Sequence, residues 1–119
     1  MIELLESPDN VIALRAVGKL TKDDYQTVLD PAVERLVADH GELRVVIVVG
    51  DDFDGMTPGG SWEDTKFGLG HWSKWKRCAV VTDRDWVGNG ARMFGWMLPG
   101  DVKVFEEDDL DDAIEWAAA

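Results

Sequence analysis

The run Leu43-Arg44-Val45-Val46-Ile47-Val48-Val49 most constrains what this chain can fold into. Apart from Arg44 it is apolar, and its last five residues are all β-branched. Such side chains crowd a helix but pack well on a pleated surface, so the run predicts a strand. No polar residue interrupts Val45 to Val49, so neither face of that strand looks onto water. A strand covered on both faces belongs in the middle of a largely parallel sheet, with helices above and below.

The rest of the chain supplies that architecture. Ile2 to Glu6 and Val11 to Ala16 are short apolar segments separated by the turn sequence Ser7-Pro8-Asp9-Asn10, and read as an antiparallel pair. Gly18 then ends the second strand. Thr21 and Asp24 form a capping box for a helix beginning at Lys22. Tyr25, Val28 and Leu29 begin its apolar face, which Val33, Leu36 and Val37 continue until His40-Gly41 stops it. Pro31 predicts a kink or a restart, with Asp30 as cap. After Leu43 to Val49, residues 50–60 read as an acidic, glycine-rich loop, followed by a helix from Ser61 to about Trp75. Cys78 to Thr82 is a second buried strand, Asp85 to Leu98 a glycine-bearing helix punctuated by Pro99-Gly100, and Val102 to Phe105 a last strand. Asp108 and Asp109 place acid at the positive end of a final helix whose apolar face is Leu110, Ala113, Ile114 and Ala117. The expected order is β-β-α-β-α-β-α-β-α, an α/β fold with a mostly parallel sheet, an antiparallel edge strand and right-handed crossovers. At 119 residues it is expected to form one domain.

Composition narrows the function classes. The longest unbroken apolar run falls far short of the roughly 20 residues of a membrane helix, and no charged-then-apolar leader opens the chain. The lone Cys78, in an apolar run, is expected to be buried rather than nucleophilic, with the cytoplasm as the expected compartment. A formal charge of −12 argues against nucleic acid as a partner. Residues 66–92 nevertheless carry a local +4 from Lys66, Lys74, Lys76, Arg77, Arg84 and Arg92 against Asp83 and Asp85, leaving −16 elsewhere.

Three motifs hint at chemistry. Asp51, Asp52 and Asp54 cluster after the central strand, where open α/β sheets commonly bind ligands. Set against a calcium loop, Gly50 stands at the first ligand position and Ser61 at the twelfth, so the motif fails twice and no metal is expected. Asp64 and His71 share one helix face at a spacing of seven, which suits an acid-base pair, yet no serine or cysteine nucleophile is placed to complete a triad. Gly88-Asn89-Gly90 with Gly95 has the wrong spacing for a dinucleotide loop, and no cofactor is expected.

The aromatics are harder to place. Trp62, Phe67, Trp72 and Trp75 cannot all face one way on a single helix, and Met93, Phe94, Trp96 and Met97 pose the same problem on the next. A helix apolar nearly all round is normally buried, and a domain this small has few ways to bury two. Core packing, an oligomer interface and a pocket for an apolar ligand each answer that difficulty.

The ordered set Gly18-Lys19-Leu20-Thr21-Lys22-Asp23-Asp24-Tyr25 with Pro31, Trp62-Glu63-Asp64-Thr65-Lys66-Phe67, His71, Arg77-Cys78-Ala79-Val80-Val81-Thr82-Asp83 with Trp86, and Val102-Lys103-Val104-Phe105 resembles the SpoIIAA-like family. That family is a bacterial branch of the STAS superfamily, also similar to the lipid-binding CRAL-TRIO fold. The resemblance implies a small cytoplasmic domain without established catalysis, often oligomeric. Anti-sigma-factor antagonists of the superfamily carry a phosphorylatable serine where the central strand meets the next helix. Here that junction reads Gly50-Asp51-Asp52-Phe53-Asp54-Gly55, without a hydroxyl, so the phosphoswitch is not expected to carry over.

The expectation is therefore a non-enzymatic STAS-like interaction module that forms a homo-oligomer. Its contact would come from Trp62, Phe67, Trp72, Trp75, Phe94 and Trp96, rimmed by Lys66, Lys74, Arg77 and Arg92, with Asp52, Asp54, Asp64 and His71 as polar candidates. The alternatives are a carrier or sensor of a hydrophobic, lipid-like ligand and an enzyme using Asp64 and His71.

Overall fold

The computed structural model describes residues 1–59, 74–84 and 100–119. Its frame is a sheet of five strands in the order β1-β2-β3-β4-β5. These are β1 (Ile2–Leu5), β2 (Ile12–Leu20), β3 (Leu43–Met56), β4 (Trp75–Val81) and β5 (Asp101–Phe105). β1 runs antiparallel to β2, with Ile2 opposite Ala16. The remaining pairs are parallel, Ile12 in register with Val45, Val45 with Cys78 and Cys78 with Val102. The expected α/β sheet with its antiparallel edge is therefore present.

β3 is covered on both faces, as its composition requires. On one face Leu43 and Val45 join Ile12, Leu14 and Ala16 beneath Leu29, Val33 and Leu36. On the other, Val46 and Val48 join Ala13, Ala79 and Val81 beneath Ala113 and Ala117. The first face is covered by α1 (Lys22–Asp24), a π turn (Tyr25–Leu29) and α2 (Asp30–His40), the second by α3 (Leu110–Ala118). Leu110 and Ile114 complete the apolar stripe of α3 as half-buried residues. Cys78 is buried.

The caps follow from local chemistry. Asp24 N–H donates to Thr21 Oγ1 at 3.3 Å, and Thr21 N–H donates to Asp24 Oδ2 at 2.8 Å, the reciprocal capping box. Gly41 ends α2 at φ 71°, where a glycine has no Cβ to clash, and its N–H reaches Val37 O. The helix restarts at Pro31 as expected, α2 beginning at Asp30 with Pro31 in its first turn, but Leu29 and not Asp30 stands at the cap. Asp30 is helical and donates to Tyr25 O, five residues back, so the helix passes through a π turn. Proline has no N–H, and its ring strikes the carbonyl four residues earlier in a regular helix; the wider turn removes that clash.

Three boundaries differ from expectation for one reason, the pairing of polar segments with neighbouring strands. β2 passes through Gly18 to Leu20, because Gly18 at φ 62° sits in the ladder opposite Phe53. β3 runs on to Met56, taking in most of the expected 50–60 loop. β4 begins at Trp75, not Cys78, because Trp75 pairs with Leu43 and Arg77 with Arg44. Trp75 thus lies on a strand and not at the end of a helix. The expected helices over 61–75 and 85–98 otherwise lie outside the described residues.

The end of α3 is held by side chains from distant elements. Arg77 Nη1 donates to Trp116 O at 2.6 Å and its guanidinium lies 5.0 Å from the Trp116 ring centroid. Arg44 Nη1 donates to Ala117 O at 2.8 Å and Asn10 Nδ2 to Ala118 O at 3.1 Å. Two guanidinium groups at a helix C-terminus complement both its orphan carbonyls and its negative end.

Candidate functional site

The sheet's carboxyl edge is where parallel α/β folds place ligands, and there β3 is irregular. Val49 pairs with Ala16 and Phe53 with Gly18, so Gly50, Asp51 and Asp52 face the single residue Val17 across the ladder. A second step, Phe53 to Gly55 against Gly18 to Lys19, leaves Asp54 outside the register. These are β-bulges, which bend a strand and push residues out of its ladder. The acidic cluster is therefore a bulged strand rather than a solvated turn. Asp51, Asp52 and Asp54 are all exposed.

Side chains from three other elements meet the first bulge. Arg15, from β2, holds Asp52 through Nε at 3.3 Å and Nη2 at 3.2 Å. Arg84, just past β4, donates Nη1 to Phe53 O at 2.6 Å and Gly50 O at 3.4 Å, with its guanidinium 6.0 Å from the Phe53 ring centroid. Thr82, buried at the end of β4, accepts from Arg84 N–H at 3.0 Å and donates its own N–H to Phe105 O. Asp83 Oδ1 accepts from Glu107 N–H at 3.1 Å, tying the end of β4 to the start of the segment that leads into α3. Gly50 makes this convergence possible: a Cβ there would lie 2.7 Å from Arg15 Nη2 and 2.9 Å from Glu107 Oε1.

The electrostatics of the site centre on Glu107. Partial burial raises its carboxyl above the ordinary range, and a hydrogen bond with Asp83 and repulsion from Asp83 and Asp51 add to this, while Arg15 opposes it. Beside it opens a cleft of about 860 Å³ whose walls carry Asp83, Glu106, Asp108, Asp109 and Asp112 against Arg84 and Lys103. Such a wall repels anions. Among the described residues no group of three or more His, Cys, Asp or Glu is arranged to hold a metal ion. A second groove of about 410 Å³ runs between α2 and the β1–β2 hairpin, with Leu4, Ile12 and Leu36 in its apolar lining and Arg35, Asp39 and His40 among its polar residues.

Of the residues singled out from sequence, Asp52 and Asp54 stand on the bulged strand. Trp75 is half-buried against the α2-side core and Lys74 is exposed next to it. Arg77, expected in the basic rim, is committed to the end of α3. Trp62, Asp64, Lys66, Phe67, His71, Trp72, Arg92, Phe94 and Trp96 lie outside the described residues, as do Gly88, Gly90 and Gly95. Sequence reasoning missed Arg15, Asp83 and Glu107 as site residues and counted Arg84 only as charge. One signal pointed to them: Arg15 is a charge inside an apolar strand, and the other three follow directly on parallel strands.

The strand-to-helix junction also moves. Because β3 extends to Met56, the first residue beyond it is Thr57, whose N–H donates to Leu20 O at 2.9 Å and whose hydroxyl donates to the same carbonyl at 3.3 Å. A hydroxyl therefore does stand at the end of the central strand, beyond the Gly50–Gly55 stretch in which the junction was expected.

Residues 11–118 match the model of the SpoIIAA-like family. The chain belongs to that family. It is similar to the crystal structure of an uncharacterized protein from the DUF3478 family with a SpoIIAA-like fold, from Shewanella loihica PV-4. The two are 31% identical, with a TM-score of 0.73 over 98% of this chain and 92% of the other. No curated protein matches the chain. Among the described residues no helix of this SpoIIAA-like chain is long and apolar enough to cross a membrane.

Proposed function

We propose that this SpoIIAA-like chain is a non-enzymatic cytoplasmic interaction module that self-associates through its aromatic-rich segments. Trp62, Phe67, Trp72, Phe94 and Trp96 supply the contact, and Lys66, Lys74 and Arg92 form its rim, Trp75 being packed against the α2-side core. The observation that carries this reading is the pairing at the carboxyl edge: Arg15 engages Asp52, Arg84 engages two backbone carbonyls, and the Glu107 N–H engages Asp83. Those polar groups are engaged within the protein, so the reading rests on the aromatic composition of Trp62, Phe67, Trp72, Phe94 and Trp96. Large aromatic anchors ringed by cations are typical of the energetic centre of an interface.

Native mass spectrometry with a dilution series tests the assignment. The protein is expected as a dimer or higher oligomer, and Trp72→Ala should weaken assembly by about 2 kcal/mol or more, as loss of a buried anchor does. An unchanged oligomeric state and unchanged thermal stability in Trp72→Ala would refute it. Thr57→Val should assemble like the parent, because self-association as proposed uses no modified hydroxyl. The carrier reading keeps one specific support, the partly apolar groove beside Leu4, Ile12 and Leu36, whose volume falls within the range of small-molecule sites. A protomer retaining extra mass of lipid size would move the assignment there.

A further inference from the structure

We propose that β5 is a docking edge for a second copy of this chain. Two β5 strands pair antiparallel about a twofold axis at Val102, so that Asp101 of each copy stands opposite Lys103 of the other. The sheets of the two copies then run on as one.

The backbone sets which groups are free to pair. β5 ends the sheet beyond β4, and among the described residues no strand lies outside it. Phe105 O accepts from Thr82 N–H at 2.9 Å, on the β4 side. Successive residues of a strand turn their N–H and C=O to opposite edges, so Lys103 and Asp101 also face β4, while Val102 and Val104 present theirs outward. A twofold axis at Val102 lets the two Val102 residues exchange both hydrogen bonds. Positions 101 and 103 then form the non-hydrogen-bonded pairs, whose side chains come closest. Asp101 and Lys103 are both exposed, and among the described residues neither belongs to an ion pair. Lys103 Nζ rests only on the Phe105 ring, 5.0 Å from its centroid. Opposite charges across an antiparallel pair attract and like charges repel, so the charges choose the register. An axis at Lys103 sets the two lysines against each other, and an axis at Val104 sets Lys103 against Phe105 and Val102 against Glu106. Only the axis at Val102 matches both charges. β1, the opposite edge, carries Glu3 with Glu6 just beyond it and no cationic side chain, so it has no such match. An isologous contact of this kind closes at two copies.

Amide hydrogen exchange, read by NMR over a dilution series of the full chain, tests the contact. Val102 and Val104 N–H should exchange slowly in concentrated protein and quickly in dilute protein, whereas Lys103 N–H, turned to β4, should stay protected throughout. The contact is independent of the proposed aromatic one, so this pattern should persist in Trp72→Ala. In that background, where sedimentation reads β5 pairing alone, Lys103→Asp sets carboxylates opposite one another and should raise the dimer Kd about tenfold or more, and Asp101→Lys should do the same with lysines. The double exchange, Asp101→Lys with Lys103→Asp, recreates the opposite pairs and should return Kd to its starting value. A dimer held by tryptophans alone would be lost in Trp72→Ala and would leave Val102 and Val104 exchanging alike at every concentration. That result, or a double exchange as weak as the single ones, would overturn the β5 contact.

Discussion

At the residue scale, two glycines show how the same substitution acts differently according to what it meets. A Cβ at Gly100 would lie 2.7 Å from Lys76 O and 2.8 Å from Trp75 O, backbone atoms of the neighbouring strand that cannot withdraw. Gly100→Ala should cost about 1–3 kcal/mol, as overpacking does, in urea denaturation. A Cβ at Gly50 meets Arg15 and Glu107 at their side-chain tips, which can swing away. Gly50→Ala should spare most of the stability while dispersing the cluster above the bulge. Thr21 and Asp24 act through hydrogen bonds instead: Thr21→Ala removes the N-cap acceptor and should cost about 1 kcal/mol. Burial alone would raise the Asp24 carboxyl, but hydrogen bonds from Thr21 and the Met1 ammonium at 3.2 Å bring it below the ordinary range. A depressed carboxyl stabilises the fold above its unfolded value and loses that contribution as pH falls through its folded one. Asp24→Asn should therefore lower Tm at neutral pH, with the deficit shrinking in acid.

Among the elements, α3 is the best test of how the chain is held together. Its fully buried residues Ala113 and Ala117 are small, and Leu110, Ile114 and Trp116 pack half-buried beside them. Arg44, Arg77 and Asn10 hold its last carbonyls. Arg77→Met keeps an apolar stem over Trp116 and removes the charged hydrogen bond, and should cost about 1.5–3 kcal/mol. If urea midpoints for Arg77→Met and the parent coincide, the clamp contributes nothing. The same elements show where sequence patterns work. The capping box, Gly41 and the stripe Leu110, Ala113, Ile114, Ala117 depend on neighbours a few residues apart, and each is present where local rules put it. Pro31 shows the limit: a helix interrupted by proline has several remedies, and the π turn became visible only in the hydrogen bond from Asp30 to Tyr25.

For the whole molecule, the apolar run at 43–49 and the strand-helix alternation determined the class of fold, because a strand without a polar face has few places to go. The antiparallel edge followed from the turn at Ser7 to Asn10. The carboxyl edge was not legible in this way. Gly50 to Gly55 has the composition of a loop, yet it is strand because β2 offers it a partner through Leu20, and pairing across more than thirty residues leaves no periodicity in either segment. Arg15, Asp52, the adjacent pair Asp83 and Arg84, and Glu107 likewise come from four separate places in the chain, joined only when parallel strands bring their carboxyl ends side by side. The sheet, its covered centre and the local caps can be read from the residues alone, because they follow from side-chain volume, branching and short-range hydrogen bonds. That an acidic stretch becomes a bulge, and which arginine each carboxylate meets, depends on strand register and emerges only in the folded chain.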